Sequence, residues 1–145
     1  MTNSQAISTE IMTEKISLLL VEDEPFIRDI IAVALEDVGL SVIAIESGAE
    51  AVAIIDGKEI EVSALITDVR LGKGLDGWEV ARRCRRIKSA LPVVYMTGDS
   101  AADWASAGVP GSILLQKPFA MQQIVAAIST LLSATSHIRN SVNFD

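Results

Sequence analysis

Three features of the 145-residue chain predict an α/β fold, a five-stranded parallel sheet wound on both faces by helices into a (βα)5 three-layer sandwich. Short, continuous apolar runs recur along the chain, as strands buried on both faces require. Between them lie segments whose apolar residues repeat at helical spacing. Run and helix alternate five times in order, a succession that gives parallel strands joined by right-handed crossovers.

Residues 1–14 are polar without a sustained period and read as a flexible N-terminal tail; the folded domain is expected over 15–134 and a second tail over 135–145. Ser17–Val21 is the first strand. It ends in Glu22, Asp23 and Glu24, and Pro25 suits the first helical turn, where an amide hydrogen has no partner. Phe26, Ile27, Ile30, Ile31, Ala34, Leu35 and Val38 form the helix's apolar repeat, and Gly39 stops it. Ser41–Ile45 is the second strand. Ser47 caps a short helix carrying Ala51, Val52 and Ile55, which Gly57 closes. The third strand, Ser63–Thr67, runs into Asp68 and a glycine-punctuated loop from Gly72 to Gly77. A helix over Trp78–Lys88 sets Val80, Ala81, Cys84 and Ile87 on one side and arginines on the other. Pro92–Met96 is the fourth strand, with proline at its permitted first position, and leads through Thr97, Gly98 and Asp99 to a short helix over Ala101–Ala107. Ser112–Gln116 is the fifth strand and ends at Lys117-Pro118. Met121, Ile124, Val125, Ile128, Leu131 and Leu132 give the last helix its apolar side.

Composition narrows the function. Half the residues are hydrophobic, enough for a sizeable core in one domain. The net charge of -7 argues against a general nucleic-acid or membrane-surface role, because polyanions are repelled. A single cysteine, Cys84, cannot close an intramolecular disulfide. The start lacks the basic-then-apolar pattern of a secretory signal, and the apolar run Ile16–Val21 is far too short to span a bilayer. A cytoplasmic protein is expected.

In parallel sheets of this kind ligands bind at the carboxyl ends of the strands. There the first strand offers Glu22 and Asp23, the third Asp68, the fourth Thr97 and the fifth Lys117. Three carboxylates held together repel one another and call for a counter-charge, which a hard divalent cation such as Mg2+ and the Lys117 ammonium supply. That set suits phosphoryl transfer, with Asp68, alone at a central strand's end, as the nucleophile and Thr97 as a hydrogen-bond donor to a phosphoryl oxygen. Singly, each residue has a plainer reading: an acid after a strand as a helix cap, Thr97 as a turn residue, Lys117 as a solvated side chain. Their joint placement at four strand ends favours the chemistry.

The pieces LLLVEDEP, LITDVRL, LDGWEVARR, LPVVYMTGD and LLQKPF, in this order over roughly Lys15–Leu132, resemble the receiver domain of two-component response regulators, a flavodoxin-like fold. The resemblance implies phosphorylation of Asp68 by a sensor histidine kinase or a histidine phosphotransfer protein. It implies Mg2+, or Mn2+, bound by Asp23 and Asp68, by Glu22 through water and by the backbone carbonyl of Arg70. It further implies that Lys117 contacts the phosphoryl group, that Thr97 swings toward it, and that the bond to Pro118 is cis. Arg70 and Asp99 fall where side chains tune hydrolysis of the acyl phosphate in this family. The chain departs from the pattern in Glu22 for aspartate, in a loop RLGKGLDG without proline, and in Leu114 where an aromatic switch partner is usual. The signal is therefore expected to pass through backbone and packing from Thr97 to Ala107, with Trp104 involved.

Arg82, Arg83, Arg85, Arg86 and Lys88 read first as a solvated helix face and second as a docking patch for an acidic partner. Trp78 and Trp104 read as packing residues, Cys84 as core, and His137 as a tail residue without zinc partners. The expected function is a stand-alone phosphoacceptor switch, not a multiple-turnover enzyme, acting on an unknown downstream protein as a monomer or a phosphorylation-dependent homodimer, without nucleic acid or membrane. Two competitors are a phosphatase with an aspartyl-phosphate intermediate, disfavoured by Arg70 two residues after Asp68, and a non-phosphorylated scaffold.

Overall fold

A computed structural model describes the backbone of residues 16–144 and side chains through 134. The N-terminal tail expected over 1–14 lies outside the described residues, as do the side chain of His137 and its neighbours. Five strands, β1 (Ser17–Val21), β2 (Ser41–Ile45), β3 (Ala64–Asp68), β4 (Val93–Thr97) and β5 (Ile113–Gln116), form one sheet in the order β2-β1-β3-β4-β5. Every pairing is parallel. Between them run α1 (Pro25–Asp37), α2 (Gly48–Gly57), α3 (Gly77–Ile87), a 3-10 turn (Ala101–Asp103) continuing into α4 (Trp104–Ala107), and finally α5 (Met121–Phe144).

Alternation along the strands splits the core into two layers. Leu19, Val21, Leu65, Val93 and Tyr95 face α2 and α3 and meet Ala51, Ile55, Trp78, Val80, Ala81 and Cys84. Leu18, Leu20, Ala64, Ile66, Val94 and Met96 face α1 and α5 and meet Ile31, Leu35, Ile124, Ala127 and Ile128. The central strands β3 and β4 are buried at every position, which is why they read as unbroken apolar runs.

Local chemistry fixes the helix starts. Ser47 accepts from the Glu50 amide at 3.3 Å and so caps α2, and its hydroxyl donates to the Glu50 carboxylate at 3.0 Å. Asp76 accepts from the Glu79 amide at 2.9 Å and caps α3.

Three expectations need adjusting. The apolar repeat of α1 is wider than the face it buries: only Ile31 and Leu35 are fully buried, while Phe26, Ile30, Val33 and Val38 are exposed. A sheet face accepts one stripe of a helix, and these residues fall beyond it. The left-handed residue closing α2 is Lys58 (φ 58°), one position past Gly57. The helical backbone of α5 continues to Phe144, past the expected tail boundary at 135, through a stretch that contains neither glycine nor proline to stop it.

Candidate functional site

Glu22, Asp23, Asp68, Thr97 and Lys117 all lie at the carboxyl edge of the sheet, at or just past the ends of β1, β3, β4 and β5. Each is delivered by a backbone that is itself held. The Glu22 amide donates to the Ile45 carbonyl at 3.1 Å and the Glu22 carbonyl accepts from Arg28 Nη1 at 2.8 Å, so β2 and α1 together fix the end of β1. The Val69 amide donates to the Met96 carbonyl at 2.9 Å and the Lys117 amide to the Thr97 carbonyl at 2.8 Å, which carries the ladder past the end of β3 and locks β5 to β4.

One carboxylate oxygen from each of Glu22, Asp23 and Asp68 lies within 4.8 Å of the others, the metal-capable carboxylate group found among the described residues. Asp23 is exposed, whereas Glu22 and Asp68 are buried. Lys117 Nζ stands between the two buried acids, 3.2 Å from Asp68 Oδ1 and 3.3 Å from Glu22 Oε1. Burial first, and the Asp68 charge second, push the Glu22 carboxyl up to about 7. Burial also raises Asp68, against the pull of Lys117. Burial works to lower the Lys117 ammonium, but the Asp68 and Glu22 carboxylates outweigh it and hold the group above its ordinary value. Two buried acids with raised pKa values beside a third, exposed one fit a hard divalent cation with oxygen ligands, because one ammonium leaves their charge incompletely balanced.

An open cavity of about 290 Å³ lies over this cluster, lined by Asp68, Arg70, Thr97, Gly98, Asp99 and Lys117. Across it Arg70 Nε holds both Asp99 oxygens, at 2.8 and 2.9 Å, on the solvent side. The bond to Arg70 lowers the Asp99 carboxyl and raises the guanidinium. Thr97 Oγ1 accepts from the Ser100 amide at 2.9 Å and the Asp99 amide at 3.3 Å. The Lys117–Pro118 bond is cis.

The site also depends on a residue that sequence reasoning passed over. Gly77, the first residue of α3, donates its amide to the Val69 carbonyl at 2.8 Å. A Cβ there would stand 2.3 Å from the Asp68 carbonyl oxygen and 2.8 Å from Val69 Cα. The helix start is thus pressed against the backbone that carries Asp68, a distance only glycine allows. The signal was present in Leu75-Asp76-Gly77, where a cap residue precedes a glycine, but it read as loop punctuation.

The basic cluster on α3 is largely engaged within the protein. Glu79 takes Arg82 at 2.8 Å and Arg83 at 3.1 Å. Arg82 Nη1 also reaches the Ala107 carbonyl, and Arg85 donates to the carbonyls of Leu91 and Pro110. Cys84 is core, its thiol pushed up to about 11 by burial.

Comparison with known proteins supplies the relationship. The response regulator receiver domain family matches residues 18–129. A transcriptional regulatory protein, TcrA of Mycobacterium tuberculosis, is 36% identical over 118 residues, covering 80% of this chain and 46% of the relative. TrcR of the same organism is 32% identical over 125 residues, 85% of this chain and 48% of the relative, so the chain spans about half the length of the curated relatives it matches. Among solved structures, a response regulator receiver protein from Sinorhizobium medicae superposes with a TM-score of 0.79 at 39% identity, covering 82% of this chain and 95% of that one. A receiver domain protein from Clostridium thermocellum gives 0.77 at 25% identity, covering 85% and 98%. On the strength of a match over most of its folded length, the chain belongs to the response regulator receiver domain family.

Proposed function

We propose that the chain is a stand-alone cytoplasmic phosphoacceptor switch that takes a phosphoryl group on Asp68 and passes the signal by changing its protein contacts. The observation that carries this reading is the placement of Lys117 Nζ between Asp68 and Glu22 at 3.2 and 3.3 Å, beside a carboxylate trio, under an open cavity. An Asp68 oxygen attacks phosphorus while the phosphorus–nitrogen bond of a donor phosphohistidine breaks, and the imidazole leaves with the electron pair and picks up a proton. Lys117 faces the developing negative charge, and Thr97 Oγ1 donates to a phosphoryl oxygen. Water later cleaves the acyl phosphate, restoring the Asp68 carboxylate and releasing phosphate.

Asp23, Asp68, the Arg70 carbonyl and Glu22 through water would hold Mg2+ or Mn2+, which supplies charge neutralisation at the phosphoryl oxygens. The Arg70–Asp99 ion pair stands at the cavity mouth, where it orders the approach of water to the acyl phosphate. The donor is a histidine kinase or a phosphotransfer protein. Phe26, Ile30 and Val33 expose an apolar side of α1, and Phe26 follows the Glu22-Asp23-Glu24 turn, so a donor helix laid there brings its histidine to the cavity. Among the described residues no helix is long and apolar enough to cross a membrane, and the proposed contacts are with proteins, not nucleic acid.

Incubation with acetyl phosphate and Mg2+ tests the reading by intact mass. One phosphoryl group per chain, absent from Asp68→Asn, supports it; no label on the native chain, or a label that Asp68→Asn retains, overturns it.

A further inference from the structure

The family's usual aromatic position on β5 is Leu114, and an aliphatic side chain packed against the core cannot make the tyrosine- or phenylalanine-type swing. Directly across the β4–β5 ladder from Leu114 stands Tyr95. Tyr95 precedes Thr97 by two residues, so both side chains leave the same face of β4. Its ring is fully buried, 4.6 Å from the Trp78 ring at a tilt of 56°, and its hydroxyl accepts from the Val109 amide at 3.0 Å. Tyr95 therefore reaches from the strand that carries Thr97 to the loop that enters β5.

The crossover from β4 to β5 is held very differently along its length. Its second half has several independent ties. Besides Tyr95 on Val109, Arg82 donates to the Ala107 carbonyl at 3.2 Å and Arg85 to the Pro110 carbonyl at 2.9 Å. Ser112 Oγ donates to the Val109 carbonyl at 2.7 Å and accepts from Trp104 Nε1 at 3.0 Å. The Trp104 indole also lies over Gly108, where a Cβ would stand 2.4 Å from it. The first half rests on less. The Asp99 and Ser100 amides share one acceptor, Thr97 Oγ1, and the other side-chain ties are all exposed: the Arg70–Asp99 pair, the Ser100 hydroxyl on its neighbour Asp99 at 3.0 Å, and the Ser106 hydroxyl on the Asp103 carbonyl at 3.2 Å.

We propose that Tyr95 is a positioning residue that pins the Trp104–Ser112 half of the crossover, so that phosphorylation of Asp68, by drawing the Thr97 hydroxyl away, releases only Gly98–Asp103. The inference rests on the phosphoacceptor reading of Asp68 and deepens it: the Thr97 oxygen accepts from the Asp99 and Ser100 amides, and a χ1 rotation that aims its proton at a phosphoryl oxygen on Asp68 carries its lone pairs off those amides. The surface that changes is then the turn from Gly98 to Asp103, with Trp104 as its fixed border.

Hydrogen exchange of the full chain, read by mass spectrometry with and without beryllium fluoride and Mg2+, tests this. In the native sequence the mimic should speed exchange across 98–103 and leave 107–112 unchanged. Tyr95→Phe keeps the ring and removes the hydroxyl. It should still be labelled on Asp68 by acetyl phosphate, while the Val109 amide exchanges roughly tenfold faster and the response to the mimic spreads into 107–112. Thr97→Val should show fast exchange at Ser100 before any mimic is added. A native response that already reaches 107–112, or a Tyr95→Phe protein with the native pattern, overturns the inference while leaving Asp68 as phosphoacceptor. Absence of label on native Asp68 removes the phosphoacceptor reading and this inference with it.

Discussion

Two helices begin beside the acidic cluster, and they are built to opposite specifications. α3 starts with a side-chain cap from Asp76, places Glu79 in its first turn and Arg85 and Arg86 in its last, and buries Gly77, Trp78, Val80, Ala81 and Cys84. α1 starts on Glu24 with no side-chain cap, relies on Pro25, has no acid in its first turn, and buries only Ile31 and Leu35. The acids they serve differ in step. Asp68 is held by the ladder and by the glycine start of α3; Glu22 sits on the turn into α1 and carries the larger electrostatic load. One side of the rim is fixed from within, and the other leaves apolar surface outside.

The sharpest break of that contrast is Gly77→Ala. Its methyl would overlap the Asp68 carbonyl, and because the neighbour is backbone, either α3 or the end of β3 must move. We expect a loss of about 1–3 kcal/mol in denaturant unfolding, the range for overpacking. Labelling of Asp68 by acetyl phosphate should fall by more than the unfolded fraction explains. A variant with native stability and native labelling would show that α3 does not set the position of Asp68.

The pH dependence of the metal-free protein probes the other side. Glu22 has a folded-state pKa raised from 4.5 to about 7, so between those values the folded chain binds more protons than the unfolded one. Stability is then fully present below about 4.5 as far as Glu22 is concerned, and falls as pH rises toward 7, at up to about 1.4 kcal/mol per unit. Urea midpoints at pH 5.5 and 8 in the presence of a chelator should favour the lower pH, and Glu22→Gln should flatten the difference. A midpoint that rises with pH in the native chain but not in Glu22→Gln would reverse the sign assigned here. A third and smaller effect is Asp76→Ala, expected to cost about 1 kcal/mol through the lost cap, against no comparable loss for Glu24→Ala on α1. Equal losses from the two would erase the contrast between the helix starts.

The sheet and its rim were legible in the sequence because burial on both faces leaves an unmistakable trace. Leu18–Val21, Ala64–Ile66 and Val93–Met96 are buried and carry no charged side chain, so the hydroxyl and charged groups that follow them mark the strand ends. Helix faces were less legible. Phe26, Ile30 and Val38 share the helical spacing of Ile31 and Leu35, and periodicity records what is apolar, not what is covered. Contacts distant in sequence left the least trace. Arg82 and Arg85 read as part of a solvated charge run, and Arg82 is exposed, but their long-range acceptors, the carbonyls of Ala107 and Pro110, carry no side-chain signature. Tyr95 has the sequence pattern of any core residue of β4, and nothing near it in the chain marks the Val109 amide that its hydroxyl accepts from.

Phe26→Ser puts the unburied side of α1 to its own test. The side chain is 72% exposed, so its removal should change stability by no more than about 0.5 kcal/mol, the usual range for surface positions. Acetyl phosphate needs no docking surface and should label the variant at the native rate. A protein donor depends on apolar area around the rim, and a Phe contact at the centre of such a patch commonly contributes more than 1 kcal/mol. Transfer from a phosphorylated histidine phosphotransfer protein, followed by loss of label from the donor, should therefore slow about fivefold or more in the variant. Equal slowing with both donors would place the defect in the Asp68 site; no slowing with either would remove α1 as the donor's landing surface and leave its exposed apolar stripe to another partner.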